Sequence, residues 1–267
     1  MKNILLPTDF SENSIRAINY AIKLFGTDDV KYTVLNTYKI YNTRAGLSST
    51  NLKKEMEAIA EEELQELKSE IKKNFPEIVI KLRDDFGNMI DVLSKLSNRD
   101  YDLIVMGTKG ASGVKEMFLG SNTWDVIEHV NIPLIAVPFE AEKLNIENIA
   151  VAIDTAEYSS KEKFERLIEL AKKHNATVTF LRIDSPKENS SIQQNQITEW
   201  FQGVNVNFSW VKNEDIEKGI INYIHSSDCD LLVVVNRKKS FWENLFHSSL
   251  TKKLAFHSDV PLMTLKD

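Results

Sequence analysis

One cysteine, Cys229, in 267 residues excludes an internal disulfide and suits a reducing compartment. No apolar run approaches the roughly 20 residues needed to cross a bilayer. Basic charge is in deficit as well. A formal net charge of −6 argues against nucleic acid or an anionic membrane as the main partner, because both select basic surfaces. The opening MKNILLPTDF meets polar residues too soon for a signal peptide, so a cytoplasmic protein is expected. Glycine is scarce too, at nine residues. Helices and strands avoid it because it loses the most backbone freedom on folding.

What is present is a soluble, globular composition, 42% hydrophobic and 27% charged, long enough for one large core or two ordinary ones. The chain is written twice. NILLPTD (Asn3 to Asp9) and NIAVAID (Asn148 to Asp154) lie 145 residues apart, each a short apolar run ending in aspartate, as a buried parallel strand reads. A helix is expected after each. Ser11 caps the first, with Ile15, Ile18, Ile22 and Phe25 on one face. Ser159 and Glu162 have capping-box spacing at the second, with Phe164, Leu167, Ile168 and Ala171 as its stripe. YTVLNTY (Tyr32 to Tyr38) then matches VTFLRID (Val178 to Asp184), DLIVMG (Asp102 to Gly107) matches DLLVVV (Asp230 to Val235), and IPLIAVP (Ile132 to Pro138) matches VPLMTL (Val260 to Leu265). A helical stripe at Met56, Ala60, Leu64, Leu67 and Ile71 and strands at Ile78 to Leu82 and Val204 to Trp210 fill the gaps. Each half therefore predicts alternating strands and helices, a doubly wound parallel sheet with helices on both faces. The expected domains are residues 1–140 and 146–267, joined through the short charged stretch FEAEKLNIE.

Four of the nine glycines crowd into GTKGASGVKEMFLG, Gly107 to Gly120. In an open parallel sheet a ligand sits beyond the carboxyl ends of the strands, where strand order reverses. Gly107 ends such a strand, and Gly107 and Gly110 let main chain approach a ligand that a Cβ would exclude. Gly120 precedes Ser121, Asn122 and Thr123, the expected first turn of a helix. A helix N-terminus offers unpaired amides and partial positive charge, a seat for phosphate. Asp9, at the end of the first strand, can accept hydrogen bonds from a ribose or a base edge.

The pattern Gly107, two residues, Gly110, nine residues, Gly120-Ser121 resembles that of the nucleotide-binding universal stress proteins, as does the PTDFSENS opening. Three glycines at that spacing arise by chance about 0.01 times at this glycine frequency. The resemblance covers both halves, with the motif only in the first. It implies five parallel strands in the order 3-2-1-4-5 and an ATP or related adenine-nucleotide ligand, with Mg2+ or Mn2+ accompanying the triphosphate. By position it implies Pro7, Thr8 and Asp9 at the base and ribose and Thr37 offering backbone to the adenine. It also implies Met106 and Gly107 beside the ribose, and Gly110, Gly120, Ser121, Asn122 and Thr123 at the phosphates. It further implies pairing through the last strand of each sheet, giving an internal pseudo-dimer of the two halves and, beyond it, a homodimer.

Plainer readings stand beside these. Gly107 and Gly110 also serve as loop glycines, Asp9 as a helix cap, and Lys109 and Lys115 as solvated surface charges. DFG at Asp85 to Gly87 lacks the other kinase motifs, and no P-loop pattern is present. The five histidines lack metal-ligand spacing, and Cys229, before a buried strand without a cationic neighbour, reads as an inert thiol. In the second half NRKK (Asn236 to Lys239) replaces GTKG, Ser248 stands opposite Gly120, and Phe241, Trp242 and Phe246 occupy the loop between. That half is expected not to bind ATP, its aromatics filling the pocket; an altered anion site on Arg237, Lys238 and Lys239 is the rival. Nothing supplies an evident catalytic base or nucleophile. The expected function is a nucleotide-dependent stress-response module acting on a protein partner, with a slow ATPase or nucleotidyl transferase, or a nucleotide-free interaction protein, as alternatives.

Overall fold

The computed structural model describes residues 2–40, 49–96, 100–108, 121–153, 158, 160–183, 190–236 and 260–266. They divide into two compact units that change over between Leu134 and Ile135. The first half opens with β1 (Lys2–Thr8), whose Ile4, Leu5 and Leu6 are fully buried. Burial on both faces is why this strand reads as an unbroken apolar run. In α1 (Glu12–Phe25), Ser11 is the N-cap, its hydroxyl accepting from the Ser14 amide at 3.3 Å, and Gly26 closes the helix at φ 72°. Ile18, Ile22 and Phe25 are buried and Ile15 half-buried, as the helical spacing predicts.

After β2 (Val30–Tyr38) comes the 26-residue α2 (Ser49–Asn74), which buries Ala60, Leu64, Leu67 and Ile71. The short α3 (Met89–Leu93) follows β3 (Val79–Phe86), and α4 (Ser121–His129) lies between β4 (Leu103–Gly107) and β5 (Leu134–Val137). The strand order is β3-β2-β1-β4-β5, with β1 parallel to both β2 and β4. Strand order reverses at β1, as the alternating pattern requires. The DFG segment is the end of edge strand β3. Arg83 Nε donates to Asp85 at 2.5 Å, Phe86 is 46% exposed, and Gly87 turns at φ 146° while donating to the Tyr38 carbonyl. That φ favours glycine.

The second half repeats the plan. It runs β6 (Asn148–Ala152), α5 (Glu165–His174), β7 (Thr177–Ile183), α6 (Ser190–Trp200), β8 (Asn205–Val211), α7 (Ile216–Ser226), β9 (Leu231–Asn236) and β10 (Leu262–Lys266). The order β8-β7-β6-β9-β10 is again 3-2-1-4-5, and each neighbouring pair is parallel. The helix expected between β9 and β10 falls outside the described residues. The cap of the second helix differs from expectation. A 3-10 turn at Lys161–Phe164 leads into α5, and Ser160 is its N-cap, accepting from the Glu162 amide at 3.2 Å. A 3-10 turn is tighter than an α turn, which brings the cap within two residues of its donor. Ser159 lies outside the described residues. Phe164, Leu167, Ile168 and Ala171 are buried as expected.

The two halves share one tie. Asp102 at the mouth of β4 accepts from the Asn3 amide at 2.8 Å, and Asp230 before β9 accepts from the amides of Glu147 and Asn148 at 2.7 and 2.8 Å. Asp230 is buried and its second oxygen pairs with Lys143, from the charged stretch leading into β6. That hydrogen bond holds the Lys143 ammonium above its usual pKa.

Candidate functional site

Beyond the carboxyl ends of β1 and β2 the first half holds a cavity of about 420 Å³, within the size range of small-molecule sites. Asp9 and Phe10 follow β1, Asn36, Thr37 and Tyr38 end β2, and Gly87, Asn88 and Met89 lie where β3 passes into α3. Met56, Ile59, Ala60 and Glu63 of α2 form the opposite wall, and Asn122 of α4 closes one side. Apolar side chains at helical spacing supply a flat wall, while the strand ends bring the polar groups.

The polar groups are held in place. Thr8 Oγ1 accepts from the Phe10 amide at 2.9 Å and pairs with Ser14 Oγ at 2.9 Å. Phe10 sits at φ 61°, a conformation a bulky residue adopts only when its surroundings impose it. Asp9 is exposed, and its Oδ1 accepts from both the amide and the hydroxyl of Ser11, at 3.1 and 2.5 Å. Asp9 thus does not cap α1 itself; it orients Ser11, which does. The Asn36 amide nitrogen donates to the Thr8 carbonyl at 2.9 Å, tying the ends of β2 and β1 together. Burial first, then the carboxylates of Glu57, Asp84, Glu61 and Asp85, raise the pKa of the Tyr38 phenol.

Of the residues expected at a ligand, the structure brings Asp9, Thr37 and Asn122 to this cavity. Pro7 and Thr8 are buried at the end of β1, and Met106, Gly107 and Thr123 form the buried seat where β4 meets α4. Thr123 Oγ1 donates to the Gly107 carbonyl at 2.9 Å, so α4 starts on the end of β4. Gly107 has a reason for lacking a side chain that the sequence does not disclose. A Cβ there would overlap the Asn13 amide nitrogen and sit 2.8 Å from Asn13 Cγ and 3.0 Å from its carbonyl oxygen. α1 packs closely enough on β4 that a side chain here would displace the Asn13 side chain and press on its backbone carbonyl. Gly110, Gly120, the Ser121 side chain, Lys109 and Lys115 lie outside the described residues. Among the described residues, no group of three or more His, Cys, Asp and Glu side chains is placed to hold a metal ion.

Sequence reasoning missed the wall from α2 and the polar side chain of Asn36. Asparagine inside the apolar run YTVLNTY is the signal that pointed there.

The second half differs at matching register positions. Asn3 pairs with Lys31 and Asn148 with Thr177, so Arg182 occupies the place of Asn36 and Ile183 that of Thr37. Arg182 is buried. Ile183 packs against α7 at Gly219, where a Cβ would lie 2.8 Å from Ile183 Cγ2. Phe180 stacks on Phe208 at 5.6 Å and Phe208 on Trp210 at 6.4 Å, beside Phe164 and Phe201. The loop aromatics Phe241, Trp242 and Phe246, the cations Arg237, Lys238 and Lys239, Ser248 and Asp154 fall outside the described residues; Asn236 ends β9, and the register sets Val235 rather than Asn236 opposite Gly107.

The sequence model of the universal stress protein family matches residues 1–138, more than half of the chain. The chain belongs to the universal stress protein family. Two universal stress proteins of Methanocaldococcus jannaschii are similar to it: MJ0531 is 27% identical over 139 residues, covering 51% of this chain and 81% of its own length. MJ0577 is 28% identical over 153 residues, covering 51% and 94%. The solved structure of a universal stress protein from Archaeoglobus fulgidus is similar over 99% of this chain and 96% of its own, with a TM-score of 0.74 at 21% identity. That likeness shows the fold of a universal stress protein across both halves.

Proposed function

We propose that this universal stress protein binds ATP through its N-terminal domain, residues 1–140, and that residues 146–267 form a degenerate copy without a nucleotide. The observation that carries the reading is the cavity at the carboxyl ends of β1 and β2, which gathers Asp9, Thr37 and Asn122 from three separate elements. The base lies against α2, the ribose near Pro7, Thr8 and Asp9, and Met106 and Gly107 lie beside it. The phosphates meet Gly110, Gly120, Ser121, Asn122 and Thr123, where the unpaired amides at the start of α4 favour anions. Mg2+ or Mn2+ would arrive with the triphosphate and offset its charge. In the second half, Ile183 for Thr37 and Val235 for Gly107 remove a polar side chain and a bare backbone, and Arg182 for Asn36 sets a long cationic side chain in place of a short amide. The bound nucleotide biases the loop before α4, which makes the domain a regulatory module in the stress response.

The test is an ATP titration of the full chain by isothermal calorimetry, comparing wild type with Gly110→Val. One ATP per chain for wild type, and loss of binding in the variant, supports the reading. Two sites per chain, equal binding by both proteins, or no binding to wild type defeats it.

A further inference from the structure

We propose that Asn36 selects the base, its side-chain oxygen accepting a hydrogen bond from the exocyclic amine of adenine; this rests on the nucleotide reading above. Asn36 is 7% exposed, yet it lines the cavity. Its Nδ2 donates to the Thr8 carbonyl at 2.9 Å. A carbonyl only accepts, so the amide has one possible orientation: the NH2 turns toward β1 and Oδ1 is the polar end left for the cavity. A ligand group that donates to that oxygen gains a directed hydrogen bond, and one that only accepts does not.

The position decides which donor. β2 pairs Asn36 with Thr8, so Asn36 enters the cavity one strand away from Asp9 at the end of β1, and α2 lines the same cavity. The wall opposite is Met56, Ile59 and Ala60, and Ile59 is 52% exposed, an apolar surface that a flat ring would cover. A ring against that wall turns its polar edge to the strand end. Adenine carries an NH2 on that edge; hypoxanthine carries a keto oxygen, which would face Oδ1 acceptor to acceptor. Asp9, exposed and charged, suits the ribose hydroxyls instead.

The experiment titrates the full chain with ATP, inosine triphosphate, purine riboside triphosphate and 2′-deoxy-ATP. ATP is expected to bind about tenfold more tightly than purine riboside triphosphate, which lacks only the amine, and more than tenfold above inosine triphosphate. In Asn36→Ala these ratios collapse toward one. Equal affinities in wild type overturn the assignment while the nucleotide reading stands. So does a preference for inosine triphosphate, a loss confined to 2′-deoxy-ATP, or discrimination that survives in Asn36→Ala. Failure of all four to bind overturns the nucleotide reading and this proposal with it. If the variant fails to fold, equal affinities in the wild-type series still overturn the assignment.

Discussion

Substituting Gly107 by alanine tests whether this residue is glycine for packing or for a ligand alone. The added methyl would overlap the Asn13 amide nitrogen and crowd its Cγ at 2.8 Å and its carbonyl oxygen at 3.0 Å. The carbonyl belongs to the backbone of α1, and α1 is anchored by the Ser11 cap and by the Thr8–Ser14 hydroxyl pair. Retreat therefore strains the helix. Overpacking of this kind costs about 1–3 kcal/mol. Stiffening of the unfolded chain by alanine returns about 0.4–1 kcal/mol. The expected net destabilisation is about 1–2 kcal/mol, a measurable share of a total of roughly 5–15. Urea unfolding should show a lower midpoint at unchanged slope. Combining it with Asn13→Ala removes the two closest contacts and leaves the carbonyl, so the pair should couple by about 1 kcal/mol in a double-mutant cycle. Because the Gly107 carbonyl receives the Thr123 hydroxyl, the same variant should also weaken ATP binding. A variant as stable as wild type, or an additive cycle, would refute the packing argument.

Other outcomes follow from buried groups in the second half. Thr264 in β10 is fully buried and its hydroxyl has no hydrogen-bond partner among the described residues. Thr264→Val should stabilise by about 1 kcal/mol in urea unfolding, and destabilisation would contradict it. Burial pushes the Cys229 thiol up to about 11 from an ordinary 9.0. The unfolded chain then loses that proton first, so this contribution is complete below about pH 9 and fades as pH rises toward 11. Between those limits wild type should lose about 3 kcal/mol more than Cys229→Ala; parallel pH profiles would contradict the assignment. The buried thiol should also resist alkylation at pH 8 in the native state.

The doubled architecture was legible because it is written in local patterns. Runs such as NILLPTD and DLLVVV are apolar on both faces, and the α1 and α5 stripes repeat at helical spacing, so these strands and helices announce themselves. The site was legible only where one loop or strand end carries it. Asp9, Thr37 and Asn122 meet at the cavity, yet nothing local says that Met56, Ile59, Ala60 and Glu63 face them. On α2, Met56 and Ala60 read as part of an ordinary core stripe and Ile59 and Glu63 fall outside it, since helical spacing tells which face turns inward and not what lies opposite. The reason for Gly107 was hidden likewise. Its neighbour Asn13 is distant in sequence, and the close approach of α1 to β4 exists only in three dimensions. The Ser160 cap was missed by one residue because a 3-10 first turn shortens the reach from cap to donor.

The most direct test of the account is a crystal structure of the full chain grown with ATP. The account predicts one nucleotide per chain, its base between Asn36 and the α2 wall and its phosphates on the main chain of residues 107–123. A cavity without nucleotide density, or a nucleotide seated in the C-terminal half, would contradict it.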